Sequence, residues 1–154
     1  MNIAIVTGAS SGMGRQFVLQ LEQYVKADEI WVIARRAEAL ESLRASVSAK
    51  LRPICLDLLQ ESSFDTFAAL LEEEKPNIKL LVNAAGFGKF GAAARISLED
   101  ECRMIDLNCK ALLVMTRLCL PYMESGSHIL QLDSLSVIIS PYRIAIASPK
   151  LKNL

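Results

Sequence analysis

Short β-branched runs alternate along the chain with stretches whose apolar positions recur at helical spacing. A parallel sheet covered by crossover helices produces this alternation. Asn2–Thr7 reads as a first strand, and Phe17, Val18, Leu21, Tyr24 and Val25 then share one face, predicting a helix from about Met13 to Tyr24. Ile30–Ala34 is a second strand, followed by a helix carrying Leu40, Leu43 and Val47 on one side. Pro53 is expected to open a third strand, Ile54–Leu58, before the helical stripe Phe64, Phe67, Leu70 and Leu71 that Pro76 ends. Leu80–Asn83 is strand four. A long helix should run from Leu98 to about Met123, started by the S-x-x-D signal of Ser97 and Asp100 and apolar at its centre, Ala111–Met115. Ser125–Ser127 turns the chain into strand five, His128–Leu132, after which the regular pattern deteriorates.

Composition narrows the class. The 154 residues suit one domain, and 52% hydrophobic against 22% charged residues predicts a packed core. Seventeen basic and seventeen acidic side chains cancel, so no long-range field favours nucleic acid or an anionic membrane, and any anion site must be local. Apolar runs such as Ala111–Met115 are far too short to span a bilayer, and no basic segment precedes the first strand; a cytoplasmic protein is expected. Cys55, Cys102, Cys109 and Cys119 form no C-x-x-C pair, and His128 is the single histidine, which argues against zinc or any other metal. The cysteines are expected to be buried reduced thiols, Cys55 foremost because it sits in an apolar run.

The chemistry concentrates in Thr7-Gly8-Ala9-Ser10-Ser11-Gly12-Met13-Gly14, which follows a predicted strand and opens a predicted helix. Gly8 permits the tight exit from the strand, Gly12 lets backbone N–H groups approach a pyrophosphate, and Gly14 allows close helix-to-sheet packing. A mononucleotide P-loop is excluded, because it ends in Gly-Lys-Ser/Thr and this turn ends in Gly14-Arg15. About twenty residues past the last glycine, where an acid would bond the ribose hydroxyls in an NAD site, stands Ala34. Arg35 and Arg36 follow it, and their guanidinium forks suit a 2′-phosphate, which favours NADP over NAD.

The G-x-x-x-G-x-G spacing behind Thr7 resembles the short-chain dehydrogenase/reductase family, and later residues agree in order. Asn83-Ala84-Ala85-Gly86 is similar to that family's N-N/A-A-G segment, Asp57 falls where the family has an adenine-contacting aspartate, and Asn108 lies in the matching long helix. The resemblance covers residues 2 to 136. It implies an α/β, doubly wound parallel sheet of Rossmann type, incomplete at about five strands in the order 3-2-1-4-5. It also implies a nicotinamide dinucleotide held by Gly8, Ser10, Ser11, Gly12, Met13, Gly14, Arg35, Arg36, Asp57, Leu58, Asn83, Ala84, Ala85 and Gly86. The implied activity is hydride transfer between that cofactor and a small carbonyl or alcohol substrate.

The family's catalytic serine corresponds to Ser134, and its helical asparagine, which holds a water, to Asn108. Its Tyr-x-x-x-Lys pair falls on Ala147 and Leu151 by strict counting, or on Ile146 and Lys150 if one loop residue is deleted; the second alignment recovers the lysine and is preferred. Neither supplies a tyrosine, and Tyr142 does not restore the spacing. Two readings therefore stay open: an oxidoreductase whose turnover lacks its general acid/base, or a dinucleotide-binding module without turnover. Residues 137–154 are expected to form a divergent tail of the same domain, and a truncated gene, a changed reading frame and a specialised short form would all produce it. With family members continuing further, self-association through the strand-five edge or the helix 98–123 is expected.

Overall fold

In the computed structural model, which describes residues 1–89, 91 and 95–132, five parallel strands form one sheet in the order β3-β2-β1-β4-β5. The strands are β1 (Asn2–Thr7), β2 (Glu29–Ala34), β3 (Lys50–Cys55), β4 (Asn77–Asn83) and β5 (His128–Gln131). Strand side chains alternate faces, so β1 sends Ile3 and Ile5 one way and Ala4 and Val6 the other, into two separate buried clusters. Helices α1 (Gly12–Gln20) and α2 (Ala37–Glu41) cover the second cluster through Val18 and Leu40. Helices α3 (Glu61–Glu74) and α5 (Leu112–Cys119) cover the first through Phe67, Leu71, Met115 and Cys119. Both faces are occupied, which is why the central strands are apolar throughout rather than alternating.

Several boundaries differ from the sequence expectation, each for a physical reason. β3 begins at Lys50 and ends at Cys55, not over 54–58, and Pro53 sits inside it opposite Val32. β3 is the sheet's edge, where a residue without an N–H leaves no ladder bond unmade, so Pro53 does not mark a strand start. β2 begins one residue early, at Glu29, which pairs in register with Ile3 and Lys50, and its buried carboxylate accepts a bond from Trp31 Nε1 at 2.9 Å and pairs with Lys50 Nζ at 3.2 Å. β4 begins at Asn77, three residues ahead of the expected Leu80, and Ile78 is fully buried. The first helix stops at Gln20 and tightens to a 3₁₀ turn over Leu21–Gln23, leaving Tyr24 exposed.

The long helix over 98–123 is not continuous. α4 (Leu98–Ile105) widens into a π-helical turn over Asp106–Ala111 before α5, and a 3₁₀ turn over Leu120–Tyr122 ends the run. Its start is as expected: Ser97 Oγ accepts from Asp100 N at 3.2 Å. Leu98, Ile105, Leu113 and Leu120 along this run, and Ile129 and Leu130 on β5, are exposed. No helix among the described residues is long and apolar enough to cross a membrane. Expectations that fall on residues 133–154 lie outside the described residues.

Candidate functional site

The chain builds β1, β2 and β3 to one side and then returns to place β4 and β5 on the other, so the connections leaving β1 and β4 diverge and open a crevice at their carboxyl ends. Thr7, buried at the end of β1, closes its floor: its Oγ1 accepts from both Ala84 N and Ala85 N at 3.1 Å. Gly8 has φ +67°, and a Cβ there would stand 2.6 Å from the Ala84 oxygen and 2.8 Å from the Ala85 Cα. A Cβ on Gly14 would strike the Gly8 carbonyl, with its carbon at 2.8 Å. These two glycines are contact positions between the turn, α1 and the β4 exit. Gly12 differs: it has φ +55° but nothing within 4 Å of its missing Cβ, so the space above it is open.

Ser11 precedes α1 with extended backbone and makes no side-chain cap, and the first turn of α1 holds no acidic residue. The first N–H groups and the positive end of the helix dipole therefore face the crevice uncompensated. Ala9 N donates to Ile33 O at 3.3 Å and ties the turn to β2.

Arg35 and Arg36 leave the end of β2 and are exposed. Arg36 Nη2 donates to Ser10 Oγ at 3.5 Å, which brings it to the glycine turn. The Arg35 carbonyl accepts the Cys55 thiol at 3.0 Å. Cys55 is exposed, contrary to expectation: it ends the edge strand, where only one neighbour covers it. Cys102 is exposed too and Cys109 half-buried, while burial pushes the Cys119 thiol up to about 12. Asp57 lies past the end of β3 instead of within it, its Oδ1 accepting from Leu59 N at 3.1 Å to form a turn. Leu58 is buried in the core cluster.

On the other wall, Asn83 ends β4 and donates from Nδ2 to Thr116 Oγ1 at 3.1 Å. Gln131, its register partner on β5, donates to the same hydroxyl at 3.0 Å, and that hydroxyl donates to Leu112 O at 2.8 Å. Thr116 thus joins the carboxyl ends of β4 and β5. Sequence reasoning missed this pair; the one signal was a hydroxyl and an amide inside otherwise apolar runs.

Asn108, in the π-helical turn, accepts from Phe87 N at 3.0 Å and donates to Phe87 O at 2.9 Å. Both ends of its amide are engaged with the backbone beyond Gly86, whose missing Cβ would stand 3.1 Å from Asn108 Oδ1. The same helix row holds Lys89: its N donates to Met104 Sδ at 3.3 Å and its Nζ pairs with Asp100 at 2.6 Å. Ser134 and Lys150 lie outside the described residues. Among the described residues, no group of His, Cys, Asp and Glu could hold a metal.

Comparison with known proteins agrees with this geometry. Residues 2–140 match the short chain dehydrogenase family. The NADP-dependent 3-hydroxy acid dehydrogenase YdfG of Escherichia coli O6:H1 is 34% identical over 131 residues, which are 82% of this chain and 50% of that protein. A solved serine dehydrogenase from Escherichia coli is 32% identical with a TM-score of 0.68, covering 84% of this chain and 60% of that one. The closed form of serine dehydrogenase complexed with NADP+ is 34% identical with a TM-score of 0.67, covering 82% and 52%. The chain spans about half the length of the curated relatives it matches. With the glycine turn, the Asn83–Gly86 segment and the sheet order in place, this chain belongs to the short-chain dehydrogenase family.

Proposed function

We propose that the chain is the cofactor-binding part of an NADP-dependent oxidoreductase that moves hydride between a nicotinamide dinucleotide and a carbonyl or alcohol. The observation that carries the proposal is the turn Thr7–Gly14, closed below on Ala84 and Ala85 and open above Gly12. Those residues fit a dinucleotide: the cradle excludes side chains where backbone must approach an anion, and the helix start supplies free donors. The YdfG relatives are NADP-dependent by name, which supports the choice of cofactor.

In this reading Gly8 to Gly14, with Ser10, Ser11 and Met13, hold the pyrophosphate, and Arg35 and Arg36 take the 2′-phosphate. Asp57 and Leu58 border the adenine, and Asn83 to Gly86 line the ribose. The nicotinamide, when bound, is the hydride carrier. The family resemblance gives Ser134 the role of polarising the substrate oxygen and Lys150 a role at the ribose, while Asn108, fully engaged with Phe87, orders the loop after Gly86.

The test is binding. NADPH is expected to bind roughly ten- to a hundredfold more tightly than NADH, since each exposed guanidinium–phosphate contact contributes at the low end of charge-assisted bonds. Arg35→Ala with Arg36→Ala should remove the difference, and equal affinities in the unmutated chain would overturn the assignment. A second reading, binding without turnover, is favoured by the isoleucine or alanine at the tyrosine position. Incubating the NADPH-bound chain with a panel of aldehydes and ketones, beside an Ile146→Tyr variant, separates the two: measurable oxidation by the unmutated chain sinks the binding-module reading.

A further inference from the structure

Arg44 and Arg52 are neutralised by Glu41 and Glu74, whereas among the described residues Arg15, Arg35 and Arg36 are in no ion pair, a property they share with Arg95, Arg103 and Arg117 elsewhere in the chain. Two of the first three are held by neutral hydroxyls instead. Arg36 reaches Ser10 Oγ at 3.5 Å, and Arg15 Nη1 donates to Ser42 Oγ at 3.3 Å, the serine in turn donating to Ala39 O at 2.8 Å. A hydroxyl fixes a guanidinium without cancelling its charge, and four of the five N–H donors of Arg15 remain for another acceptor.

The placement has a direction. Arg15 follows Ser11 by one helical turn, its N–H donating to Ser11 O at 3.3 Å, so both residues lie on one side of α1. Helical side chains lean toward the helix N-terminus, which sends the Arg15 guanidinium back toward the turn. Its bond to Ser42 carries it across to the segment after α2, and Arg36 bridges the mouth of the same interval from the β2 end. A phosphate monoester carries about −1.5 to −2 charges at neutral pH, more than one guanidinium balances.

We infer that Arg15 is a third cation of the 2′-phosphate subsite and a determinant of cofactor choice. The inference rests on the NADP reading above and adds a residue of α1, beside the β2 exit that carries Arg35 and Arg36. Ser42 is its positioning residue.

The probe pair is 2′,5′-ADP and 5′-AMP, which differ only in the 2′-phosphate, titrated calorimetrically into the full chain and its Arg15→Ala, Arg15→Lys and Ser42→Ala variants. At low ionic strength Arg15→Ala is expected to weaken 2′,5′-ADP about tenfold and 5′-AMP less than about twofold, the gap closing at roughly 0.5 M salt as screening sets in. Arg15→Lys should keep part of the discrimination, since it retains the charge and loses the fork. Equal weakening of both probes would make Arg15 a structural strut of α1 and overturn the inference. So would an unchanged ratio in Arg15→Ala while Arg35→Ala with Arg36→Ala abolishes discrimination. If the unmutated chain does not distinguish the two probes, the NADP reading itself fails, and the Arg15 inference with it.

Discussion

Gly8 and Gly12 share a left-handed backbone but not an environment, so replacing each by alanine separates two reasons for glycine. At Gly12, φ +55° with nothing within 4 Å of the new methyl, Gly12→Ala carries only the left-handed penalty of about 1–2 kcal/mol. At Gly8 the methyl would in addition stand 2.6 Å from the Ala84 oxygen and 2.8 Å from the Ala85 Cα, and backbone atoms cannot rotate away as a side chain would. Relief requires the β4 exit to move, at an overpacking cost of about 1–3 kcal/mol. It also strains the two bonds from Ala84 N and Ala85 N to Thr7 Oγ1, each contributing about 0.5–1.5 kcal/mol. Gly8→Ala should therefore cost roughly 3–5 kcal/mol, about 2–3 more than Gly12→Ala. In urea unfolding, with m of about 1–3 kcal/mol per molar, the two variants should separate by about 0.7–3 M in midpoint. Equal midpoints would mean that the close approach relaxes freely, and the argument that the Ala84 carbonyl enforces glycine at position 8 would be wrong.

Three further outcomes are expected. A thiol reagent at mildly alkaline pH should label Cys55 and Cys102 in the folded chain while Cys119, buried with its thiol pushed up to about 12, reacts only on unfolding; peptide mapping showing equal rates would contradict that burial. Asn108→Ala should cost about 1–3 kcal/mol in thermal melting by leaving the Phe87 N–H and C=O without their partner, with Asn108→Asp losing only the donor and falling between. Bonds from Lys89 and Ser97 hold the Asp100 carboxyl below its ordinary value of 3.8, so its contribution is present above that value and is lost as pH falls through the lower folded value. The Lys89 amide resonance should accordingly stay fixed from neutral pH to about 5 and shift only in stronger acid; movement near pH 6 would refute the tether.

The features legible in the sequence were those decided within a few residues. The glycine turn announces itself because conformation and close approach both act at single positions, and the strand order comes with the family resemblance that this turn carries. What escaped depends on distant partners. Pro53 looks like a boundary until the sheet order shows that β3 is an edge, and the same edge exposes Cys55. The π-helical turn over Asp106–Ala111 has no proline or glycine to signal it; it coincides with Asn108, whose two bonds go to Phe87 in another part of the chain.

That row of helix side chains has a consequence for how the two walls of the crevice are joined. Asp100, Met104 and Asn108 succeed one another at four-residue spacing and engage Lys89 Nζ, Lys89 N and the Phe87 backbone in turn, so one helix face grips residues 87 to 89 of the loop after β4. The start of that loop is held from the other side, since Ala84 and Ala85 donate to Thr7 beneath the phosphate turn. Gly86 sits between the two grips, with room for no methyl that would not press on Asn108. Thr7, the 84–87 backbone and Asn108 therefore form one bonded path from the glycine turn to the long helix. A disturbance at Asn108 should reach the cofactor cradle through four consecutive backbone units rather than through loosely packed side chains, although no glycine motif marks that helix as part of the site.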